Sequence, residues 1–189
     1  MTQSKRIFDL AIVLPFSFAL IVPAIIIGIL IKLNSKGPIL YWSNRVGSKN
    51  IIFSMPKFRT MKITTPTIAT HLLEDPDQYL TSLGRVLRKI SVDELPQIWS
   101  IMKGDMSLVG PRPALFNQYD LIQARTERCI SDLVPGLTGW AQVNGRDKIS
   151  LAEKIRLDEY YLNHQSLVFD IKIIFATFHK VLLRSSISH

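Results

Sequence analysis

Apolar positions follow different patterns along this chain. From Ile7 to Leu33 they are nearly continuous, with no charged side chain between Asp9 and Lys32, a run of 22 residues. About 20 apolar residues in helix cross a bilayer core, so this run predicts a membrane helix. Pro15 and Pro23 lie inside it, and an internal proline removes a backbone bond and kinks a helix. Ile39–Trp42 and Ile51–Met55 read as short strands joined by a turn over Arg45–Asn50, a small hairpin. In the extended segment that follows, Lys57 and Arg59 point to one face and Phe58 to the other. From Leu83 the spacing becomes helical: Leu83, Val86, Leu87 and Ile90, then Leu95, Ile98, Trp99 and Met102. Thr81 or Ser82 is placed to cap the first of these helices, and Gly104 to end the second.

The stretch from Ile63 to Asp77, with clustered Thr and Pro and no clean period, reads as loop. Pro113 is placed to open a helix reaching about Ile130. Residues 131–146 are loop-rich, with Pro135-Gly136, Gly139-Trp140 and Asn144-Gly145-Arg146; glycine there lets backbone approach a ligand closely. Ser150-Leu151-Ala152-Glu153 is a capping box for a further helix. Val168–Arg184 reads as a last amphipathic helix, with Lys172, Lys180 and Arg184 among Ile, Phe and Leu. Basic amphipathic helices lie on membrane surfaces.

A chain of 189 residues fits one domain with an appendage. The net charge of +8 points to nucleic acid, an anionic membrane surface or phosphorylated substrates. No nucleic-acid motif accompanies it, so no nucleic-acid partner is expected. The single Cys129 excludes an internal disulfide, and His71, His164, His179 and His189 are too scattered for a zinc site. Both fit a reducing, cytosolic face. Charge also bears on the apolar run. Lys5 and Arg6 precede it; Lys32, Lys36, Arg45 and Lys49 follow it. Positive flanks favour the cytoplasmic side. A helix that enters, bends at Val22-Pro23 and returns to the same face satisfies both flanks; a kinked span is the alternative.

Candidate chemistry gathers between Thr81 and Pro113. Asp93 and Glu94 sit at the mouth of the second helix, with Pro96 in its first turn, where a missing N–H is tolerated. Capping alone accounts for acidic residues at such a mouth. Arg88, Lys89 and Arg112 supply more positive charge than a cap requires. Cations beside a carboxylate pair and a helix N-terminus suit a phosphate arriving with a divalent metal. Lys57 and Arg59 are either an amphipathic strand edge or a second cation pair aimed at phosphate. Asp158-Glu159 is another acidic pair, but helical neighbours point about 100° apart. It reads as a solvated face, or Asp158 lines a pocket.

Five segments together carry a resemblance: KFRTM at 57–61, LGRVLRKISVDELPQ at 83–97, KGDMSLVGPRP at 103–113, VPGLTGWAQVNGR at 134–146 and DEYY at 158–161. In this order they resemble the bacterial sugar transferases, the small monotopic phosphoglycosyl transferases, over nearly the whole chain. No sensor domain accompanies them, so a minimal catalytic unit is expected. The resemblance implies transfer of a sugar-1-phosphate from a UDP-sugar to polyprenol (undecaprenyl) phosphate with release of UMP. That is the first membrane step of O-antigen, capsule, exopolysaccharide or glycoprotein assembly. It implies Asp93 as nucleophile and Mg²⁺ ligand, Glu94 as its partner, and a re-entrant helix broken at Pro23. Family members often carry Ser before that proline; here it is Val22.

The expected fold is mainly α with a small β-hairpin. Residues 1–36 would form a re-entrant membrane helix-hairpin. Residues 37–189 would form a compact cytosolic catalytic domain with surface amphipathic helices, on the cytoplasmic face of the bacterial inner membrane and in contact with membrane lipid. Substrate contacts are expected from Lys57, Arg59, Arg88, Arg112, Gly145, Arg146 and Asp158. Guanidinium is suited to bidentate oxyanion contacts. Other membrane phosphoryl transfer, such as a lipid phosphatase, and a non-catalytic membrane scaffold are the competing readings.

Overall fold

The computed structural model describes residues 1–65, 75–145 and 149–186, with the side chains of Pro76 and 182–186 left aside. The long apolar run forms α1 (Gln3–Asn34), opened by Thr2, whose hydroxyl accepts from Lys5 N at 3.3 Å. Helical backbone runs through Pro15 and Pro23 without an assigned break. Among the described residues α1 is the one helix long and apolar enough to cross a membrane. Its middle is bare: Leu14, Phe16, Phe18, Ile21, Val22, Ile25 and Ile26 are exposed. Its buried residues lie towards the two ends, Lys5, Asp9 and Val13 at one and Gly28 and Ile31 at the other.

β1 (Leu40–Val46) and β2 (Ile52–Phe58) form the expected hairpin, antiparallel from Leu40↔Phe58 to Val46↔Ile52. It is longer than its apolar pattern indicated, because Arg45 lies in the strand and not in the turn. The turn itself is a 3-10 segment, Ser48–Asn50, in which Lys49 and Asn50 take φ of 54° and 60°. The expected Ile63–Asp77 loop lies partly outside the described residues.

α2 (Ser82–Lys89) is capped by Thr81 as its sequence indicated, with Oγ1 accepting from Gly84 N at 2.9 Å. The second helix starts later than its spacing suggested. Val92–Gln97 is a 3-10 turn, and α3 runs Ile98–Lys103, closed by Gly104 at φ 95°. β3 (Ser107–Val109) follows. Pro113 opens no helix: it precedes β4 (Ala114–Leu115), which pairs with β1 at Arg45 and Val46. α4 therefore begins only at Tyr119 (Tyr119–Glu127). β5 (Gly136–Thr138) lies parallel to β3, Ser107 against Gly136 and Val109 against Thr138. α5 (Trp140–Val143), α6 (Leu151–Asn163) and α7 (Leu167–Ser186) complete the chain. Ser150 caps α6, its hydroxyl accepting from Glu153 N at 3.2 Å.

Both ends of α1 dock on the folded part. Val13 joins the apolar cluster of Met55, Ile101 and Met106, and Ile31 the cluster of Phe58 and Leu87. Polar contacts fix the same ends. Lys5 Nζ pairs with Asp170 Oδ2 at 2.6 Å and donates to the Tyr161 hydroxyl at 3.2 Å. Tyr161 in turn donates to Asp170 Oδ1 at 2.7 Å. A buried charge pair is tolerable only when its remaining bonds are made as they are here. α7 buries Asp170 and Ile173 and leaves Val168, Ile171, Phe175 and Phe178 exposed. That is an unpartnered apolar face on a helix near the start of α1.

Candidate active site

Asp93 and Glu94 lie in the 3-10 turn before α3. Ser91, at φ 59°, reverses the chain out of α2 and delivers them. This turn packs chiefly on β2, so the strand face carrying Lys57 meets the two carboxylates. Glu94 Oε1 accepts from Lys57 Nζ at 3.0 Å and from Arg112 Nη2 at 2.9 Å. One carboxylate thus joins β2 to the Pro111-Arg112-Pro113 segment. The group is well covered, with side-chain exposures of 16% for Lys57 and 13% for Glu94. Burial lowers the Lys57 ammonium pKa; Glu94 opposes this, while Arg112 and Arg45 add to it.

Asp93 is buried, at 7% exposure, and no ion pair among the described residues holds it. Burial raises its carboxyl pKa; Lys57 and Arg88 oppose the shift through space, and the neighbouring Glu94 adds to it. Arg88 stands near by, its Nε donating to Thr60 Oγ1 at 3.0 Å. A carboxylate in a cation-lined recess, with no ion pair among the described residues, is chemically able to meet a phosphorus atom or a metal ion. Mg²⁺ commonly takes one or two carboxylates and completes its shell with phosphate oxygens and water. The residues fit that pattern. No group of three His, Cys, Asp or Glu side chains occurs among the described residues, so a cage built from protein ligands alone is not what this recess offers.

Other residues expected at the site lie elsewhere. β2 ends at Phe58, so the alternation that would bring Arg59 beside Lys57 stops one residue short. The Arg59 guanidinium is buried over the end of α1 instead, donating to Lys36 O at 2.7 Å, Ser35 O at 2.8 Å and Ser35 Oγ at 2.8 Å. Gly37 makes room for it: a Cβ there would fall 1.9 Å from Arg59 Nη1. Asp158 faces neither solvent nor an open pocket. It is 1% exposed and accepts from Arg125 Nε and Nη2 at 3.1 and 2.7 Å. Gly145 takes φ 151°, and a Cβ there would meet Ile149 Cγ2 at 2.3 Å, so a close approach within the chain accounts for it. Arg146 lies outside the described residues. Val22 and Pro23 sit in the exposed middle of α1.

Two arginines not singled out as site residues hold the cluster together. Arg125 Nη1 donates to Arg112 O at 2.8 Å, so the Asp158 pair orients the backbone of Arg112. Arg45 Nη1 donates to Pro113 O at 3.2 Å and its Nε to Ser43 Oγ at 3.1 Å. Burial, with Arg112 next, lowers the Arg45 pKa to about 10. Arg45 was legible in principle. Tyr41, Ser43, Arg45 and Lys57 share one face once β1 is read at its full length.

These parts define a protein with a cation-lined carboxylate recess beside a long exposed apolar helix. The chain belongs to the bacterial sugar transferase family, whose model matches residues 1–184. It is 40% identical over 186 residues to the sugar transferase EpsL of Bacillus subtilis, covering 97% of this chain and 89% of that one. It is 40% identical over 161 residues to the UDP-N-acetylgalactosamine-undecaprenyl-phosphate N-acetylgalactosaminephosphotransferase of Aeromonas hydrophila, covering 82% of this chain and 38% of that one. It is 36% identical over 184 residues to the undecaprenyl-phosphate glucose phosphotransferase of Komagataeibacter xylinus, covering 92% of this chain and 35% of that one. Against these two longer relatives, the chain therefore spans little more than a third of their length.

Proposed function

We propose that this protein transfers a sugar-1-phosphate from a UDP-sugar to polyprenol phosphate, giving polyprenyl-diphospho-sugar and UMP. One observation carries the reading. Glu94 is locked between Lys57 and Arg112 while Asp93, beside it, is buried with no ion pair among the described residues. The two carboxylates are thereby given different tasks. The names of the Aeromonas and Komagataeibacter relatives supply the substrate class, undecaprenyl phosphate and a nucleotide sugar.

In the first step an Asp93 carboxylate oxygen attacks the sugar-bearing phosphorus. The bond to the bridging diphosphate oxygen breaks, and UMP leaves with that electron pair. An acyl phosphate on Asp93 holds the sugar phosphate. In the second step a phosphate oxygen of the lipid attacks the same phosphorus, and the Asp93 carboxylate is released unchanged. Lys57, Arg112 and Arg45 offset the charge of two phosphorylated substrates. Glu94 keeps Lys57 and Arg112 in place. Mg²⁺, held by Asp93 and the donor diphosphate, would supply Lewis-acid charge neutralisation.

The membrane placement follows the same reading. Val13 and Ile31 are 18 residues apart, about 27 Å along a straight helix. The clusters that receive them include Met55 and Phe58, about 10 Å apart along one strand. A bent path with its apolar middle in the bilayer and both ends on one cytoplasmic domain accommodates this best. The exposed apolar face of α7 then rests on the same surface. On this reading the recess comes within reach of a lipid-borne acceptor at the inner membrane.

The test is turnover by the purified full chain in lipid nanodiscs, with Mg²⁺, undecaprenyl phosphate and a panel of UDP-sugars. UMP release with one sugar, and its loss in Asp93→Asn, is the expected result. Release of inorganic phosphate from the lipid without a nucleotide sugar would replace this reading with a phosphatase. No UMP with any sugar would overturn it.

A further inference from the structure

Beside the recess lies a notch to which nothing above assigns a role. β4 pairs with β1 only at Arg45 and Val46, so among the described residues the same edge of β1 from Tyr41 to Asn44 has no strand against it. That edge, Leu115 of β4 and the chain after it enclose an open notch of about 80 Å³, walled by Tyr41, Trp42, Ser43, Asn44, Leu115, Phe116 and Asn117. Three of the seven walls are aromatic, and Tyr41, Trp42 and Phe116 are all exposed. The polar walls are short and neutral. Asn117 makes no side-chain hydrogen bond among the described residues, and its Oδ1 is walled off without a partner. A half-turn about its last torsion presents either amide end to the notch without breaking a bond. The bare strand edge adds backbone donors and acceptors.

The notch adjoins the strand face that carries the recess cations. Tyr41 stands opposite Lys57 in the hairpin register, and cross-strand neighbours lie about 5 Å apart. Ser43 holds Arg45, whose charge is felt by Arg112 and Glu94. Phe116 and Asn117 come just after Arg112 in the chain. A group docked in the notch is therefore linked to the phosphate-facing cations through Arg45 and Lys57.

We propose that this notch holds the pyrimidine base of the nucleotide donor, stacked on its aromatic walls, with Asn117 reading the base edge. The inference rests on the transferase reading above and adds the donor's docking site to it. Its chemistry separates a base from the other candidate, the lipid acceptor. A flat ring with donors and acceptors on its rim uses both the aromatic walls and the unpaired amides and strand edge. A polyprenyl tail would leave the Asn117 amide and the strand edge without partners, at a cost for every polar group it covers. In this placement the diphosphate runs from the notch over Arg45 and Lys57 to Asp93. The sugar then lies on the far side of the dyad from the base.

The experiment uses the full chain in nanodiscs with the UDP-sugar that it turns over. It compares wild type, Trp42→Ala, Asn117→Ala and Asn117→Gln. KM for the UDP-sugar, inhibition by UMP and KM for undecaprenyl phosphate are each measured. Asn117→Ala and Trp42→Ala should each raise the UDP-sugar KM and the UMP inhibition constant together, about tenfold, as loss of a base-reading or stacking contact does. KM for the lipid should stay constant, and Asn117→Gln should recover part of the loss. Thermal unfolding of each variant shows whether it is folded. Turnover with unchanged UDP-sugar KM and unchanged UMP inhibition in both alanine variants overturns the notch and leaves the transferase reading intact. A rise confined to the lipid KM assigns the notch to the acceptor and also overturns it. Absence of turnover in wild type overturns the transferase reading itself. In that case direct titration of wild type and Asn117→Ala with UMP, by calorimetry, still tests the notch. Equal or absent binding removes it.

Discussion

At the scale of single residues, the site divides its work by burial. Asp93 is desolvated, and its carboxyl pKa stands above the ordinary range. The sign for stability follows directly. A raised folded-state pKa means that the folded chain holds the proton more tightly than the unfolded one. The contribution of Asp93 is therefore most favourable at low pH and declines as pH rises from the unfolded value through the raised folded one. At neutral pH the ionised carboxylate is a cost. Asp93→Asn should abolish UMP release and yet raise the thermal unfolding midpoint; a lowered midpoint would show that the carboxylate supports the fold. In the rate profile, kcat/KM should fall on the acid side at a pH above that of an ordinary aspartate. On the alkaline side it should fall below the usual lysine range, because burial lowers the Lys57 pKa. Lys57→Arg, which keeps its charge to higher pH, should carry that alkaline limb upward.

Asp158 belongs to the same scale but to a different task. With side-chain exposures of 10% and 2%, Arg125 and Asp158 form a buried pair, and removing one partner from such a pair costs about 3–5 kcal/mol. Asp158→Asn should lose stability of that order in denaturant titration. In the fraction that remains folded, kcat should fall, because Arg125 also holds Arg112 O. A stable Asp158→Asn protein with an altered UDP-sugar KM would return Asp158 to a substrate-binding role.

At the scale of elements, the carboxylate pair with Arg88 and Arg112 near it was legible from spacing and charge, whereas the contact of Lys57 with Glu94, 37 positions on, belongs to the tertiary fold. Thr81, Ser150 and Gly104 cap or close helices by strictly local bonds, and sequence placed them too. Arg59 was not legible. Its partners, Ser35 and Lys36, lie more than 20 positions back, and only the tertiary fold shows that α1 ends beneath it. The Arg125–Asp158 pair, 33 positions apart, was hidden for the same reason. Pro113 misled in the other direction, since a proline suited to a helix start serves here as the entry to β4. Arg59 as an α1 anchor carries its own expectation. Arg59→Ala leaves three hydrogen bonds to Ser35 and Lys36 unmade and should cost about 1–3 kcal/mol, read in thermal unfolding. Its UDP-sugar KM should match wild type. A large rise in KM with unchanged stability would restore Arg59 to the phosphates.

At the scale of the molecule, α1 sets how the proposed lipid acceptor would reach the recess. Lys5, Asp9 and Val13 bury one end, and Gly28 and Ile31 the other, while the apolar middle faces outward. In a helix that crossed the bilayer, one of these ends would lie on the far side, away from Asp170 and Tyr161 or from Phe58 and Leu87. The contacts at both ends therefore favour the proposed re-entrant path over a span. Positive flanks at Lys5, Arg6, Lys32 and Lys36 act in the same sense. Labelling tests this in cells. Cys129 is exposed on the folded domain and serves as the reference thiol. Thr2→Cys in a Cys129→Ser background reports the start of α1. Both thiols should be shielded from a membrane-impermeant reagent in intact cells and should react once the membrane is permeabilised. Reaction of Thr2→Cys alone in intact cells would make α1 a span. Pro23→Ala restores an N–H and removes the ring clash that favours a bend. If the proline sets the bend, part of the Pro23→Ala protein should expose Thr2→Cys outside. If docking at the two ends sets it, the label should stay inside and the unfolding midpoint should fall, since the straightened helix then strains against its own anchors.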